Sequence, residues 1–193
     1  MVEKADKGDK REKIIGAAFR LFCQQGFQAT STALIAKEAG VATGTLFLYF
    51  ASKDVLINAL YQEAKARLTA HLQAGYPGQA GVGDRFRHLW FAACRWGLAN
   101  PDAFRFMTMF RSSPYIWQVT RAEAASAAAF ARQLVQQGLD TGVLQPLPPD
   151  LLLALLDGAV TATVTHLQEH PDPAAARGGV EQAWGVFWKG VVR

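Results

Sequence analysis

Residues 31–53 read STALIAKEAGVATGTLFLYFASK, and this pattern predicts two short helices joined by a tight turn. The first helix is predicted from Thr32 to Ala39, with Ser31 as its N-terminal cap and apolar side chains along one side. Gly40 is expected to end it, because glycine readily takes the left-handed conformation that closes a helix. The second helix is predicted from Thr43 to Tyr49.

The second helix is expected to have an inward and an outward side. Leu46 and Phe50 lie four residues apart and would share the inward side. The outward side would then carry Thr43, Gly44, Thr45, Phe47 and Leu48. Two short helices with such a turn are typical of a helix-turn-helix, whose second helix lies in the major groove of DNA.

The segment from about Lys10 to Leu72 resembles the N-terminal DNA-binding domain of the TetR family of bacterial transcriptional repressors. The residues that carry the resemblance keep a fixed spacing over about a third of the chain: Phe22, Gly26-Phe27, Ile35-Ala36, Ala39-Gly40-Val41, Gly44-Thr45-Leu46, Tyr49-Phe50, Ser52-Lys53 and Leu56. The rest of the chain is similar to the family only in its helical character and its length. The resemblance implies an all-α homodimer that reads two half-sites of an inverted repeat in double-stranded DNA.

Nine residues in and around the two short helices are predicted to contact DNA: Ser31, Thr32, Thr43, Gly44, Thr45, Phe47, Leu48, Tyr49 and Lys53. Gly44 would let the backbone approach base edges. Phe47 has no hydroxyl, whereas the family usually has tyrosine there, so apolar contact with a thymine methyl is its expected role. The resemblance implies phosphate contacts for Tyr49, for Lys53, and for Ser31 or Thr32. An open alternative buries Phe47, Leu48 and Tyr49 in a hydrophobic cluster.

The charge distribution does not by itself locate a DNA site. The net charge is +4, yet residues 1–64 carry eight basic and seven acidic side chains, whereas residues 65–121 carry eight and two. Residues 1–9 mix both signs without apolar periodicity and predict a flexible N-terminal arm, which would either reach phosphates or act as a solvated tail. The DNA assignment therefore depends on the motif.

Glycine and proline residues predict the domain organisation. Pro77-Gly78, with glycines on both sides, is the clearest break, so a DNA-binding domain is predicted over 10–73 and a helical ligand-binding and dimerisation domain over 74–193. Ser52 is expected to cap a third long helix that runs to about Gln73. A further long helix is predicted from about Tyr115 to Leu139. No segment alternates like a strand, which favours an all-α chain of about nine helices.

Several functional classes lack support in the sequence. The N-terminus does not resemble a signal peptide, and no apolar run reaches the roughly 18 residues of a membrane span, so a cytoplasmic protein without membrane contact is expected. Cys23 and Cys94 sit in apolar helical patterns and are interpreted as small buried hydrophobes. His166 and His170 lack a third ligand and are expected to cap carbonyls. Neither an enzyme, a metal site nor a cofactor is predicted.

The last two predicted helices form the candidate dimer surface. Leu151 to Leu167 is apolar almost all round, and a helix of this kind must be covered on every side. The residues predicted at the dimer interface are Asp157, Val164, Trp184, Phe187, Trp188 and Val191. Burial of both helices within one subunit is the alternative.

The middle of the chain is the candidate ligand-binding region, because it is rich in aromatic and methionine side chains. The residues predicted to contact a ligand are Trp90, Phe91, Cys94, Arg95, Met107, Phe110, Arg111, Phe130, Leu134, Leu156 and Val160. The alternative is that these aromatics are plain core. An arginine that faces inward among them, from Arg95, Arg105 and Arg111, would favour an anionic ligand group.

Together these features predict a DNA-binding transcriptional regulator, specifically a repressor that leaves its operator on binding a small apolar or amphipathic ligand. The competing hypothesis is a DNA-binding protein without an inducer, whose C-terminal domain is a protein-interaction surface. A well-formed internal cavity would favour the first hypothesis, and a solid core would favour the second.

Overall fold

The structure is a computed structural model that describes the backbone of residues 2–127, 129–171 and 173–193, and the side chains of 9–123, 129–171 and 178–193. Ten helices lie within these ranges: α1 (Val2–Ala29), α2 (Thr32–Glu38), α3 (Thr43–Tyr49), α4 (Lys53–Gln73), α5 (Val82–Ala99), α6 (Pro101–Phe110), α7 (Gln118–Ala127), α8 (Ala129–Asp140), α9 (Pro149–Glu169) and α10 (Pro173–Val191). The described ranges hold no strand beyond a single bridge between Leu144 and Val192. The all-α prediction is confirmed.

Helix number and helix ends differ little from the prediction. The chain has ten described helices instead of about nine, because the long helix predicted from Tyr115 to Leu139 corresponds to both α7 and α8. Residue 128, which lies between these two helices, falls outside the described ranges. Residues 2–9 of the predicted N-terminal arm belong to α1, and the side chains of residues 1–8 also lie outside the described ranges.

The helices form two compact units whose limits differ from the predicted boundary at residue 73. The first unit contains Met1–Lys65 and Asp102–Glu123, and the second contains Ala66–Pro101 and Ala124–Arg193. Helix α6 therefore belongs to the first unit. The physical reason is that aromatic side chains of α6 pack on aromatic side chains of α1.

Aromatic side chains of α6 complete the core of the first unit. Phe106 packs edge-on against Phe19 of α1, with ring centroids 5.1 Å apart, and Phe110 lies 6.2 Å from Phe22 of the same helix. All four rings are buried. Burying a phenylalanine side chain stabilises a fold by about 1.5–3 kcal/mol, so α6 contributes substantially to the unit that contains α2 and α3.

A glycine redirects the chain before α2. Gly26 has φ 78° and ψ 174°, and it interrupts the regular geometry of α1. The conformation is accessible to glycine at little cost. Thr30 is fully buried, and its hydroxyl donates hydrogen bonds to the carbonyls of Gly26 at 2.7 Å and Leu21 at 3.2 Å. The Thr30 hydroxyl thus fixes the path of residues 26–30.

The core of the second unit centres on α5. Trp90 is fully buried, its indole N–H donates to the carbonyl of Val180 at 3.1 Å, and its ring stacks on Phe187 at 5.3 Å. Burial raises the pKa of the Cys94 thiol on the same helix to about 12. Cys23 in the first unit is also buried, with its pKa raised to about 11. Both thiols are buried in the apolar interior, as the sequence predicts.

Candidate nucleic-acid interface

Helix α2 begins and ends through local hydrogen bonds. The Ser31 hydroxyl accepts a hydrogen bond from the amide of Leu34 at 3.1 Å, as expected of an N-terminal cap. At the other end Gly40 has φ 67°. Its amide donates to Lys37 O at 3.1 Å and the amide of Val41 donates to Ala36 O at 2.9 Å, which is the Schellman arrangement. The short turn to α3 is therefore fixed by the backbone.

Helix α3 has the bounds that the sequence predicts and the same inward and outward sides. Leu46 is fully buried and Phe50, which follows the helix, is almost so. On the outward side Thr43 and Gly44 are exposed and Thr45 is half-buried. Phe47 is 46% exposed and Leu48 is 84% exposed. The alternative that Phe47 and Leu48 belong to a buried cluster is therefore wrong.

Lys53 is held inside the first unit. Its ammonium group donates to the carbonyl of Phe27 at 2.8 Å and to that of Thr30 at 3.0 Å, and it lies 4.2 Å from the centroid of the Phe27 ring. An ammonium group has three N–H donors, so one remains for a phosphate. Lys53 was predicted only as a phosphate contact, yet its geometry also joins the start of α4 to the segment before α2.

Asn58 is a buried polar residue that the sequence analysis did not identify. Its amide nitrogen donates to the carbonyls of Asp54 at 2.8 Å and Tyr115 at 3.0 Å, and its amide oxygen accepts from the main-chain N–H of Trp117 at 2.8 Å. The side chain is 3% exposed. It fastens the loop between α6 and α7 to α4. An asparagine within the apolar pattern of α4 is the signal that would have indicated such a role.

The remaining predicted contacts are divided between exposed and half-buried positions. Ser31 is exposed, and Thr32 and Tyr49 are half-buried. Nearby basic side chains are largely paired: Arg20 lies 3.2 Å from Glu38, and Arg11 lies 2.8 Å from Glu63. The Arg20–Glu38 pair is exposed and contributes about 1 kcal/mol or less to stability, whereas the residues of the Arg11–Glu63 pair are half-buried. Helix α2 carries one basic and one acidic residue and α3 carries no charged residue, so these two helices have no excess positive charge.

The predicted ligand contacts are distributed over both units. Met107, Phe110 and Arg111 lie in the first unit, whereas Trp90, Phe91, Cys94, Arg95, Phe130, Leu134, Leu156 and Val160 lie in the second. Trp90, Cys94, Leu134 and Val160 are buried, and Phe91, Phe130 and Leu156 are half-buried. The hypothesis of an inward arginine is wrong, because Arg95, Arg105 and Arg111 are all exposed.

Three of the six predicted dimer residues are buried within the second unit. Val164, Trp184 and Val191 are each 8% exposed or less, so their side chains contact their own subunit. The reason is aromatic packing, since Trp184 lies 5.9 Å from Trp90 of α5. Phe187 and Trp188 are half-buried, and Asp157 is exposed.

Other apolar side chains of α9 and α10 face solvent. Leu155 on α9 is 43% exposed, and Val186 on α10 is 77% exposed. Helix α9 also carries exposed Gly158 and Ala162. By length and composition alone α9 could cross a membrane, and most of this helix is not buried within its own subunit. The same composition suits a helix that a second subunit covers.

Two family profiles match the chain. The profile described as "Bacterial regulatory proteins, tetR family" matches residues 14–60, and the profile described as "Tetracyclin repressor-like, C-terminal domain" matches residues 61–177. A curated relative, an uncharacterized HTH-type transcriptional regulator of Haemophilus influenzae, is 29% identical over 108 residues. That alignment covers 56% of this chain and 58% of the relative, so it spans less than two thirds of the relative's length.

Solved structures match over nearly the whole chain. A tetR family transcription regulator from Shewanella sp. PV-4 is 33% identical, covers 95% of this chain and 98% of its own, and superposes with a TM-score of 0.84. A TetR family transcription regulator from Marinobacter aquaeolei VT8 is 26% identical over 100% and 99% of the two chains, with a TM-score of 0.87. The helix-turn-helix geometry, the two profiles and these structures together show that the chain belongs to the TetR family of DNA-binding transcriptional regulators.

Proposed function

We propose that the protein is a homodimeric cytoplasmic repressor, which binds an inverted-repeat operator and leaves it when a small apolar or amphipathic ligand binds. The observation that carries the proposal is the orientation of α3. Leu46 and Phe50 hold the helix against the first unit, and Phe47 and Leu48 stay exposed on the other side. A regulator of this family places that side in the major groove of DNA.

A single short helix makes too few contacts for tight specific binding, so two subunits must bind together. Reading helices in successive major grooves lie about 34–36 Å apart, which predicts an inverted repeat. The proposed contacts are Ser31, Thr32, Thr43, Gly44, Thr45, Phe47, Leu48, Tyr49 and the remaining N–H donor of Lys53. Contacts to phosphate position the protein, and contacts to bases give its specificity.

The exposed side of α9 and α10 is the proposed dimer interface. Leu155 and Val186 place apolar surface in water, and the small residues Gly158 and Ala162 would let a second helix approach closely. Covering such surface contributes about 25 cal/mol for each Å² removed from water. This interface replaces the predicted one at Val164, Trp184 and Val191.

The proposed ligand acts through α6. Phe106 and Phe110 of α6 pack on α1, and Asn58 of α4 binds the loop that follows α6, so a displaced α6 would disturb the unit that holds α3. The ligand must bind the released state more tightly than the DNA-bound state, or it would shift nothing. The "Fatty acid metabolism regulator protein" of Bacillus subtilis is 33% identical over 67 residues, 35% of this chain, and its name supports an apolar or amphipathic ligand.

A second candidate function is a DNA-binding protein that recruits another protein and has no inducer. One observation favours it: the "Nucleoid occlusion factor SlmA" of Haemophilus ducreyi is 28% identical over 94 residues, 47% of this chain. The name of that protein describes a role other than inducible repression. Thermal-shift measurements with a panel of fatty acids, acyl-CoA thioesters and sterols separate the two functions, since only a repressor of the first kind is stabilised.

The central experiment selects duplexes from a random DNA library with the purified full chain. The expected result is an inverted repeat, bound by a dimer in light scattering. Leu155→Glu with Val186→Glu is expected to give a folded monomer that has lost the operator, whereas Gln133→Glu, an exposed position on α8 away from the proposed interface, is the control and should remain dimeric. Selection that yields no enriched sequence would reject the proposal.

A further inference from the structure

Helix α3 lacks the side chains that usually read bases. Its sequence is TGTLFLY, without Arg, Lys, Asn, Gln, His, Asp or Glu. Bidentate recognition of guanine uses Arg or Lys, and that of adenine uses Asn or Gln. The helix therefore has no residue for either of these contacts.

The two threonine hydroxyl groups of α3 cannot replace those contacts, and the third hydroxyl of the helix belongs to half-buried Tyr49. Thr43 is exposed and Thr45 is half-buried, and a threonine hydroxyl both donates and accepts a hydrogen bond. Such a group can pair with either a donor or an acceptor on a base edge, so it discriminates weakly between bases. Most of the specificity of α3 must come from its other exposed side chains.

Those side chains are apolar. Leu48 is 84% exposed and Phe47 is 46% exposed, and together they are the large apolar groups that α3 presents to solvent. In the major groove the apolar group on a base edge is the C5 methyl of thymine. Burying a methyl group against a leucine or phenylalanine side chain removes apolar surface of both partners from water.

We propose that Phe47 and Leu48 recognise the operator through thymine methyl groups, so that each half-site carries thymine at the positions these two side chains meet. The proposal rests on the proposed function and adds the chemical class of base that α3 reads. The fold does not require Phe47 or Leu48 at these exposed positions, because the buried side chains of Leu46 and Phe50 hold the helix in place.

The test replaces thymidine by deoxyuridine in the selected operator, one symmetric pair of positions at a time. Deoxyuridine keeps every hydrogen-bonding group of thymidine and lacks only the C5 methyl. Loss of one buried methyl group is expected to weaken binding roughly fourfold, and loss in both half-sites roughly 14-fold. The loss should be confined to one or two positions in each half-site, measured at fixed salt concentration.

Variants assign the effect to the two side chains. The Phe47→Ala variant should bind the thymine and uracil duplexes equally when they differ at the position that Phe47 reads. The Leu48→Ala variant should do the same for the position that Leu48 reads. Both residues are exposed, so neither change should unfold the protein. Val119→Ala is the matched control, since Val119 is 58% exposed on α7 and its loss should leave the sensitivity to the methyl group intact.

A second substitution tests the gain of a methyl group. Cytosine and 5-methylcytosine are compared at the sensitive thymine position, because these two bases differ only in the C5 methyl. The wild-type protein should bind the 5-methylcytosine duplex more tightly than the cytosine duplex, whereas the alanine variant of the side chain that reads this position should bind both equally.

The outcomes separate this inference from the function on which it rests. Tight binding of the operator with no position sensitive to uracil would overturn methyl recognition and leave the DNA-binding regulator intact. Undiminished uracil sensitivity in both alanine variants would also overturn it, because other residues would then read the methyl groups. Failure to select any duplex would instead reject the proposed function.

Discussion

Replacing Lys53 by methionine should destabilise the folded protein as well as affect DNA binding. The ammonium group of Lys53 donates to two main-chain carbonyls, at 2.8 Å and 3.0 Å, and lies over the Phe27 ring. Lys53→Met keeps an apolar side chain of similar length and removes all three interactions. The carbonyls of Phe27 and Thr30 would then lose a charged donor.

The size of the effect follows from these contacts. A hydrogen bond from a charged donor contributes about 1.5–3 kcal/mol, and a cation–π contact about 0.5–1 kcal/mol when exposed. Lys53 is half-buried, so water can partly replace the lost donor. A decrease of about 2–4 kcal/mol in the free energy of unfolding is expected. That is a large fraction of the roughly 5–15 kcal/mol typical of a folded protein.

The assay is urea unfolding followed by circular dichroism, at one protein concentration because dimer dissociation contributes. Lys37→Met is the matched control: Lys37 is an exposed lysine on α2, and its replacement should change stability by less than about 0.5 kcal/mol. A Lys53→Met protein as stable as the control would refute the internal role. The salt dependence of operator binding then reports the phosphate contact. Its loss should reduce the magnitude of the slope of log K against log salt concentration by about 0.9 per subunit.

Three further predictions concern packing and charge. Asn58→Leu should cost about 2–4 kcal/mol in urea unfolding, because a buried main-chain donor and acceptor lose their partner, and an unchanged midpoint would contradict that role. Gly138→Ala should cost about 1–3 kcal/mol in thermal unfolding, since its Cβ would lie 2.6 Å from Cδ1 of buried Leu144, and a stable variant would show that Leu144 can move. Burial, together with the nearby charge of Arg111, lowers the pKa of Lys65. The folded chain therefore holds this proton less tightly than the unfolded chain does. At pH values below the lowered pKa the positive charge of Lys65 opposes folding. Lys65→Met should therefore raise stability at pH 7, by a margin that shrinks as the pH rises toward the ordinary value of 10.5, and a margin independent of pH would refute this cause.

Local signals in the sequence predicted the helix-turn-helix well. Ser31 and Gly40 act within a few residues of their own positions, so their roles at the two ends of α2 depend little on the rest of the fold. The same is true of Ser52, whose hydroxyl accepts from the amide of Val55 at 3.1 Å. The bounds of α3 follow from these neighbours together with the spacing of its buried side chains.

Contacts between distant parts of the chain could not be predicted in this way. Helix α9 is apolar almost all round, so no pattern indicates which side meets α5 and which remains exposed. Val164 and Leu155 look alike in the sequence, yet the first is buried and the second is not. The assignment of α6 to the first unit depends on Phe19 and Phe22, which precede their α6 partners by 87 and 88 residues.

Asn58 has a consequence for the precision of regulation. Aromatic packing tolerates small sliding movements because it has no strict direction, whereas two directional hydrogen bonds between Asn58 and the main chain of Tyr115 and Trp117 hold the loop after α6 in one register. Without these hydrogen bonds, the loop after α6 would occupy several positions of similar energy. This exchange would broaden the NMR signals of its residues. In the proposed repressor such a population would bind the operator less tightly and leave the regulated genes partly expressed without any ligand, so one amide group would help to keep basal transcription low.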